Sequence, residues 1–309
     1  MSTIANSKLV TSAEERAQLR ASTPSFFGLV RGELLKLSRR WSTWIPLVIT
    51  LLFIAACMFL QTLRSGLKDY LTTDPLHALY GYSENGLGFT RAFIGLYLLI
   101  LTAYVIGLEY QMGTIRVLIS RGVGKLQLLA AKVTTIAIVA VLVLIVALIL
   151  NVIMMGVVLI IGTGNLNALN SLTPQFWSDT LVSLSTILVS MLVTILLGTA
   201  ASVLGRSLTI GLALGLAWFP VDNIGSQFFG LGYELSKNNF WLDATAYFLG
   251  PNLNRMAGAI LPASLHVTAI LFKPLVEVDG SHTLWVAAVY GAIFLAASIL
   301  LTKFRDIKE

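Results

Sequence analysis

Six long apolar stretches dominate the sequence, and they constrain its fold more than any other feature. A helix rises 1.5 Å per residue, so about 20 apolar residues are needed to cross the hydrocarbon core of a bilayer. Five of the stretches contain no charged residue, and the fifth along the chain is interrupted near its far end by Pro220, Asp222 and Asn223. The sequence therefore predicts an all-α polytopic membrane protein with spans at about residues 45–62, 92–108, 133–161, 180–204, 208–229 and 284–301.

The composition agrees with one transmembrane domain, predicted over residues 44–302. Hydrophobic residues make up 56% of the chain and charged residues 12%, whereas about a quarter of the residues in a soluble domain are charged. This disfavours a water-soluble enzyme, a disordered chain and a disulfide scaffold. Cys57 is the only cysteine, so no internal disulfide can form. Residues 1–24 lack the apolar stretch of a secretory signal and are predicted to form a flexible cytoplasmic segment.

The positions of the basic residues predict the orientation. With both chain ends on one side of the membrane, 15 of the 21 Lys and Arg residues lie on that side. Positive charge beside a span is retained in the cytoplasm, so both termini, including a tail at residues 303–309, are predicted to be cytoplasmic. The formal charge of +6 is then a consequence of topology, and no nucleic-acid partner is needed to explain it.

An amphipathic helix is predicted before the first span, over residues 25–43. Its apolar positions recur at steps of three or four residues, and its basic residues occupy other faces. The apolar positions are Phe27, Val30, Leu34, Leu37 and Trp41. A helix of this kind is expected to lie in the cytoplasmic interface of the membrane. It can serve as a topology anchor, as a lever that touches a partner, or as both.

The loop between the second and third spans has an apolar face of its own. Met112, Ile115 and Ile119 are predicted to share one side of a helix that is too short and too polar to span the membrane. Such a helix, held between two spans, suits the transfer of force. The alternative is an ordinary surface loop, which would explain the charges but gives little reason for the apolar face.

Two outer segments are predicted to be ordered. Residues 63–90 are expected to form a cap over the outer side. Residues 231–282 combine three prolines with apolar pieces such as Leu265–Phe272, which are too short to cross the membrane. We expect this segment to form re-entrant or interfacial helices before the last span.

No residue pattern supports catalysis or metal binding. His77, His266 and His282 are far apart in sequence, and none has the spacing of a metal site. The nearest approach to a phosphate-binding loop lacks the first glycine and the final Ser or Thr of that motif. We therefore expect the chain to be no enzyme and to bind no cofactor of its own.

A few polar or small residues inside the spans are candidates for special roles. Asp222 and Asn223 could contact a substrate at an outer mouth, or could serve only to break and cap the fifth helix. Asn151 is expected to make a hydrogen bond between helices. Gly211 and Gly215 would allow close helix approach, either inside one chain or across a dimer.

The ordered set of these features resembles the type 2 permease family of ATP-binding-cassette (ABC) transporters. The family motif after the second span is matched in order by Glu109, Gly113, Thr114, Leu118, Ser120, Arg121 and Lys132. The stretch from Leu29 to Arg40 resembles the family's elbow helix. Members often have Pro and Arg where this chain has Gly122 and Lys125, which affects the end of the motif.

The resemblance implies a coupling helix that docks into a groove of an ATPase subunit. The implied coupling residues are Glu109, Met112, Gly113, Thr114, Ile115, Arg116, Ile119 and Arg121, and the elbow residues are Glu33, Lys36, Arg39 and Arg40. It further implies two ATPase subunits that hold ATP and Mg²⁺, and a second permease, identical or homologous. The pathway would be lined by the second and fifth spans, in an exporter of the bacterial plasma membrane.

Two other readings remain open at this point. A gradient-driven secondary carrier, or a membrane-assembly protein without an ATPase, would also fit six apolar spans. A carrier driven by ions normally places ionisable groups near the membrane centre, and the predicted spans contain almost none. A membrane enzyme is a more distant alternative, because nothing in the sequence supplies a nucleophile with a base.

Overall fold

The computed structural model describes residues 25–63, 66–261 and 272–305, and all regular structure in these ranges is helical. Two short 3-10 turns, Asn167–Ser171 and Thr245–Tyr247, accompany the α-helices. The helices are α1 Phe26–Ser38, α2 Trp41–Thr62, α3 Leu67–Thr73, α4 Pro75–Gln111, α5 Thr114–Ser120, α6 Lys125–Thr163, α7 Pro174–Gly205, α8 Leu208–Ser236, α9 Phe240–Ala244, α10 Leu249–Ile260 and α11 Gly280–Phe304.

Six of these helices, namely α2, α4, α6, α7, α8 and α11, are long and apolar enough to cross a membrane. The prediction of an all-helical protein with six spans is therefore confirmed. The helices are longer than the predicted spans. In α4, for example, the helix begins 17 residues before the predicted start at Ala92, so that part of the predicted outer cap belongs to this helix.

The predicted amphipathic helix is shorter than expected. It ends at Ser38, and Trp41 already belongs to the first membrane helix. The chain turns at Arg40, whose backbone is extended, and the indole Nε1 of Trp44 donates to the Ser38 carbonyl over 2.9 Å. This hydrogen bond satisfies a carbonyl at the free end of α1. Phe27 and Trp41, both predicted on the apolar face, are largely exposed.

Several of the helices begin directly after a residue that caps them. Side-chain oxygens at the residue before the helix accept hydrogen bonds from backbone N–H groups that have no partner within the helix. The residues that cap in this way are Ser25, Asp74, Thr173, Ser207 and Asp279. Proline follows the cap in α4 and α7, where its missing N–H costs nothing. These caps fix where the helices start.

The bundle is built around α7 and α4. In the most apolar window of α7, 72% of the residues are buried inside the chain, and the share is 61% for α4 but only 11% for α8. The helix α7 packs against α4, α8 and α11. The largest apolar cluster joins α4 to α2 and α6 through residues such as Ile54, Ile94 and Ile136. The second cluster joins α7 to α10 and α11.

The segment before the last span contains α9 and α10. At about 18 Å, the 12-residue helix α10 is too short to cross the membrane. It buries Leu249, Leu253 and Met256 in the second apolar cluster. Most of the predicted apolar piece at residues 265–272 lies outside the described residues, as does the predicted flexible segment at residues 1–24. A re-entrant position for α10 stays a prediction.

Candidate functional site

The short helix α5, Thr114–Ser120, lies between α4 and α6 and is bounded by two glycines with left-handed backbones. Gly113 has φ +69° and Gly122 has φ +87°, a region that side chains with a Cβ rarely adopt. The Thr114 hydroxyl donates to the backbone carbonyl of Glu109 over 3.3 Å. The two turns connect α5 to the end of α4 and to the start of α6.

One side of α5 is anchored, and the other is exposed. Ile115 is only 6% exposed and packs with Val123 and Leu128, with Leu118 and Ile119 beside them. Val117 is 50% exposed, and Met112 in the turn before α5 is 67% exposed. The predicted shared face is therefore split: Met112 precedes the helix and is open to a partner, whereas Ile115 is an internal anchor.

Four charged side chains form a cluster next to this helix. Lys132 Nζ of α6 lies 2.9 Å from Glu33 Oε2 of α1 and 2.8 Å from Glu109 Oε2 of α4. Lys36 Nζ of α1 lies 2.6 Å from Glu33 Oε1 and 3.1 Å from Glu109 Oε1. Each carboxylate thus contacts both ammonium groups. We call these four residues the ion cluster.

The ion cluster is buried, and its charges cancel. Lys132, Glu33 and Glu109 are at most 7% exposed, and only Lys36 reaches solvent. Burial raises the pKa of Glu33, but the attraction of Lys132 and the hydrogen bonds from Lys36 and Lys132 outweigh it, so that the pKa lies below its ordinary value of 4.5. A buried charge is tolerable only with such partners. The cluster therefore ties α1, α4 and α6 together.

An irregular turn in α4 adds a fifth contact. Residues Ala103–Gly107 form a π-helical segment, which interrupts the regular ladder of backbone hydrogen bonds. Lys132 Nζ donates to the Val105 carbonyl in this segment over 3.2 Å. A Cβ at Gly107 would lie 2.8 Å from the Ser207 carbonyl oxygen, so only glycine fits beside the turn between α7 and α8.

The end of α4 also holds the start of α8. The side-chain oxygen of Gln111 accepts a hydrogen bond from the backbone N–H of Leu208 over 3.1 Å. This N–H lies at the first residue of α8 and has no partner within the helix. Through Gly107 and Gln111, α4 is thus connected to the α7–α8 turn. Contacts between neighbouring residues therefore connect α5 with α1, α4, α6 and the start of α8.

Sequence reasoning missed the ion cluster as a unit. It used Glu109 and Lys132 as motif residues and placed Glu33 in the elbow, but it did not predict their contact. A signal was present: Glu33 lies three residues after Val30 and four before Leu37, on the buried side of α1. A carboxylate on an apolar helix face implies a buried cation opposite it. No sequence pattern indicated the π-helical segment.

The remaining basic residues of the predicted elbow lie outside the ion cluster. Arg39 follows the last residue of α1, and Arg40 precedes the first residue of α2. Neither makes an ion pair with any residue in the described ranges. Arg116 and Arg121, at the predicted coupling segment, are exposed.

Three residues predicted for helix packing lie between helices of the same chain. Asn151 Nδ2 of α6 donates to Thr90 Oγ1 of α4 over 2.8 Å and to the Ala147 carbonyl over 2.7 Å. A Cβ at Gly211 would lie 2.8 Å from Ser202 Oγ of α7. At Gly215 it would contact Leu99 of α4 at 3.4 Å. The two glycines therefore face the interior of the chain.

Asp222 and Asn223 belong to a second polar group, at the end of the bundle opposite α5. The Asp222 carboxylate accepts a hydrogen bond from the backbone N–H of Gly250, at the start of α10. Asn223 Oδ1 accepts from Asn254 Nδ2 over 2.8 Å. Arg91 Nη2 of α4 donates to Asn254 Oδ1 over 2.6 Å. The described residues contain no cluster of three or more side chains able to hold a metal ion.

Residues 29–219 match the family model described as ABC-2 family transporter protein. The match covers well over half of the chain and includes α1 from Leu29, the whole ion cluster and α5. The chain belongs to the ABC-2 transporter family. A comparison with curated proteins found no match. The protein is thus the multi-pass membrane subunit, or permease, of an ABC transporter, and the resemblance noted from the sequence is confirmed.

Proposed function

We propose that the permease is an exporter subunit whose helix α5 receives the movement of a separate ATPase on the cytoplasmic side. The observation that carries this proposal is the split of the α5 segment into an exposed side, with Met112 and Val117, and an anchored side, with Ile115. Exposed apolar side chains in an aqueous phase favour a protein partner. ATP and Mg²⁺ are bound by that partner, of which two copies act on the transporter.

The ion cluster makes the force transfer efficient. Glu109 lies in the last turn of α4, and Lys132 lies in the first part of α6, so the two helices that bound α5 are joined by an ion pair. Separating buried charges leaves each of them without a partner, which is unfavourable. Pressure on α5 therefore moves α1 and the adjoining ends of α4 and α6 together.

Contacts at the α5 end of the bundle bear on which end faces the cytoplasm. Lys125 Nζ at the start of α6 donates to the Arg305 carbonyl over 3.5 Å, and Arg305 Nη1 donates to the Leu204 carbonyl over 3.0 Å. The end of α11 thus lies beside the beginning of α6, at the end that carries α1 and α5. The excess of Lys and Arg in the sequence supports a cytoplasmic position for this end in our proposal.

A second permease is expected to cover α8. Its exposed apolar side chains recur at steps of three, four or seven residues, on one side of the helix. They are Ile210, Leu214, Val221, Ile224, Phe228, Leu231 and Leu235. The helix packs beside α4 in the same chain, where Gly215 faces Leu99. A pathway between two permeases, identical or homologous, would then be lined by α4 and α8.

The dimer can be tested by disulfide cross-linking in membranes. Cys57 is first replaced by Ser, and a single cysteine is introduced at Val221 of α8, which is 70% exposed. The matched control is a cysteine at Val152 of α6, which is 71% exposed. We expect an oxidised dimer for V221C alone. Equal cross-linking at both positions would indicate random collision and would contradict an α8 interface.

The ATPase partner can be tested by purification from the native membrane. We expect an ATP-hydrolysing subunit to accompany the tagged permease and to be lost in Val117→Glu, because the charge falls on the exposed side of α5. Leu166→Glu, an exposed leucine at the opposite end of the bundle, is the control. Glu109 is a poor choice for this test, since its reversal would disrupt the ion cluster as well.

Two results would contradict the coupling proposal. One is an ATPase that remains bound and fully stimulated by substrate in Val117→Glu. The other is a preparation in mild detergent that contains no ATPase at all. Transport that survives ATP depletion but stops when an ion gradient is collapsed would then favour a secondary carrier.

A further inference from the structure

A groove of about 460 Å³ lies between α1, α2, α4 and α6. Its walls are apolar and include Leu34 of α1, Leu47 of α2 and Val143 of α6. The stretch of α6 that lines it, from Val139 to Val146, is about 10 Å long. This volume is within the range of small-molecule binding pockets.

The groove is open towards the lipid. Leu142 and Val146 on α6 are 56% and 47% exposed, and Trp44 on α2 is 48% exposed. These side chains belong to membrane-spanning helices, so the medium outside them is the bilayer. A lipid chain can therefore enter sideways, without passing through water.

The charged side chain in the groove is a cation. Arg31 of α1 lines it and makes no ion pair with any carboxylate in the described ranges. The nearby Glu33 cannot serve as its counter-ion, because both of its oxygens are held by Lys36 and Lys132. The mouth of the groove is thus electropositive.

A buried hydroxyl also lines the groove. Tyr97 of α4 is 1% exposed, and its Oη has no hydrogen-bond partner among the described residues. A buried hydroxyl without a partner is unfavourable. Tyr97 is thus a polar point in the otherwise apolar wall of the groove.

We propose that the groove holds an anionic phospholipid of the leaflet at the α1 end of the bundle, with its phosphate on Arg31 and one acyl chain along α6. The lipid would support the helix that carries half of the ion cluster. Charge complementarity at Arg31 selects the anionic headgroup, and the apolar walls select the chain. The proposal does not depend on the ATPase or on the direction of transport.

Native mass spectrometry of the purified full-length permease tests this proposal. The probes are phosphatidylglycerol and phosphatidylcholine with identical acyl chains, titrated separately. We expect the first bound phosphatidylglycerol to be retained more tightly than phosphatidylcholine. In Arg31→Gln its affinity should fall about fivefold, the effect of one basic residue on an anionic lipid. Arg39→Gln removes the same charge directly after this helix, outside the groove, and should have little effect.

A second pair of variants tests the apolar part. Val146→Trp fills the groove and should abolish the tightly bound lipid, whereas Val152→Trp adds the same bulk to α6 outside it. Equal binding of the two lipids, equal effects of the two arginine variants, or full retention in Val146→Trp would each overturn the proposal. The same spectra report the oligomeric state. If Val146→Trp changes that state and not the lipid count, a second chain occupies the groove and the proposal is wrong.

Discussion

The two ends of the membrane-spanning bundle hold their buried charges in opposite ways. At the α1 end, Glu33 and Glu109 are neutralised by two lysines. At the opposite end, Arg91 donates to the amide oxygen of Asn254, and Asp222 accepts from a backbone N–H. One end is a closed set of ions, and the other relies on neutral dipoles.

The distance between the two ends gives this contrast a structural meaning. Arg91 and Glu109 both belong to α4 and are 18 residues apart, or about 27 Å along the helix. This is close to the thickness of the hydrocarbon core, about 30 Å. The spacing of the two polar levels thus matches the thickness of the hydrocarbon core. A closed ion set suits a rigid connection, whereas charges held by neutral groups can exchange partners at lower cost.

Asp179 of α7 follows the same rule as Arg91. This carboxylate is buried at the end opposite α5 and accepts hydrogen bonds from Tyr80 Oη over 2.9 Å and from Gln175 Nε2 over 2.8 Å. Both donors are neutral. The contrast between the two ends thus rests on several helices and not on a single pair.

The largest effect is expected for Lys132→Met, which leaves Glu33 and Glu109 with only the half-exposed Lys36. Removing one partner from a buried ion pair destabilises a protein by about 3–5 kcal/mol. Thermal unfolding in detergent should show a large decrease in the midpoint, or the variant should fail to accumulate in the membrane.

The matched control for this variant is Lys125→Met on the same helix. Lys125 contacts only a backbone carbonyl, at 3.5 Å, among the contacts described for it. We expect its loss to change the midpoint little. Equal midpoints for the two variants would mean that the ion cluster does not contribute to stability, and would remove the rigid connection from the proposed mechanism.

A smaller effect is expected for Asp222→Ala at the opposite end. Its carboxylate caps the start of α10 from another helix, and loss of such a cap destabilises by about 1–2 kcal/mol. Asp222→Asn keeps an acceptor oxygen and should recover part of the loss. Midpoints of thermal unfolding compare the three proteins. If Asn is no better than Ala, the charge itself, and not the cap, is what α10 requires.

Arg91→Met should change stability least among the deletions of buried charges, within about 1 kcal/mol of the parent. The loss of the hydrogen bond to Asn254 is offset because a cation without a carboxylate partner no longer has to be buried. Lys132→Met and Arg91→Met make the same kind of change at the two ends, so their unfolding midpoints compare the ends directly. A decrease as large for Arg91 as for Lys132 would break the contrast.

The sequence predicted the six spans well because the length of an apolar stretch depends only on consecutive residues. Residues 284–301, for example, lie inside the observed α11, Gly280–Phe304. It predicted the ends of α4 poorly. The predicted second span began at Ala92, after an outer cap at residues 63–90, whereas Glu84 and Arg91 lie inside the helix Pro75–Gln111. Whether a charge is outside a span or satisfied within a bundle depends on its neighbours, which a local window does not contain.

The candidate site shows the same division. The motif around Glu109 and Gly113 was visible in the sequence, including the glycine that the left-handed turn requires. The contact of Glu33 with Lys132, 99 residues away, was not. Long-range pairs of this kind are decided by how helices pack. The split of Met112 and Ile115 to different sides followed from the actual start of α5 at Thr114.

The smallest expected effect, and the most specific one, is the change with pH in the stability difference between the parent and Glu33→Gln. It adds to the larger, pH-independent loss that removing a buried partner causes. Lys132 and Lys36 outweigh the effect of burial and hold the pKa of Glu33 below its ordinary value of 4.5. A carboxylate with a lowered pKa stabilises the folded state above its unfolded pKa, and this stabilisation is lost as the pH falls through the folded value. The difference in unfolding midpoint between parent and variant should therefore be constant from pH 7 to 5 and shrink only below about pH 4.5.

Asp69→Asn, at an exposed carboxylate of α3, should show little difference at any of these pH values. A difference that already disappears between pH 7 and 5 would mean that burial outweighs the lysines, and that Glu33 is not held as an anion by the ion cluster.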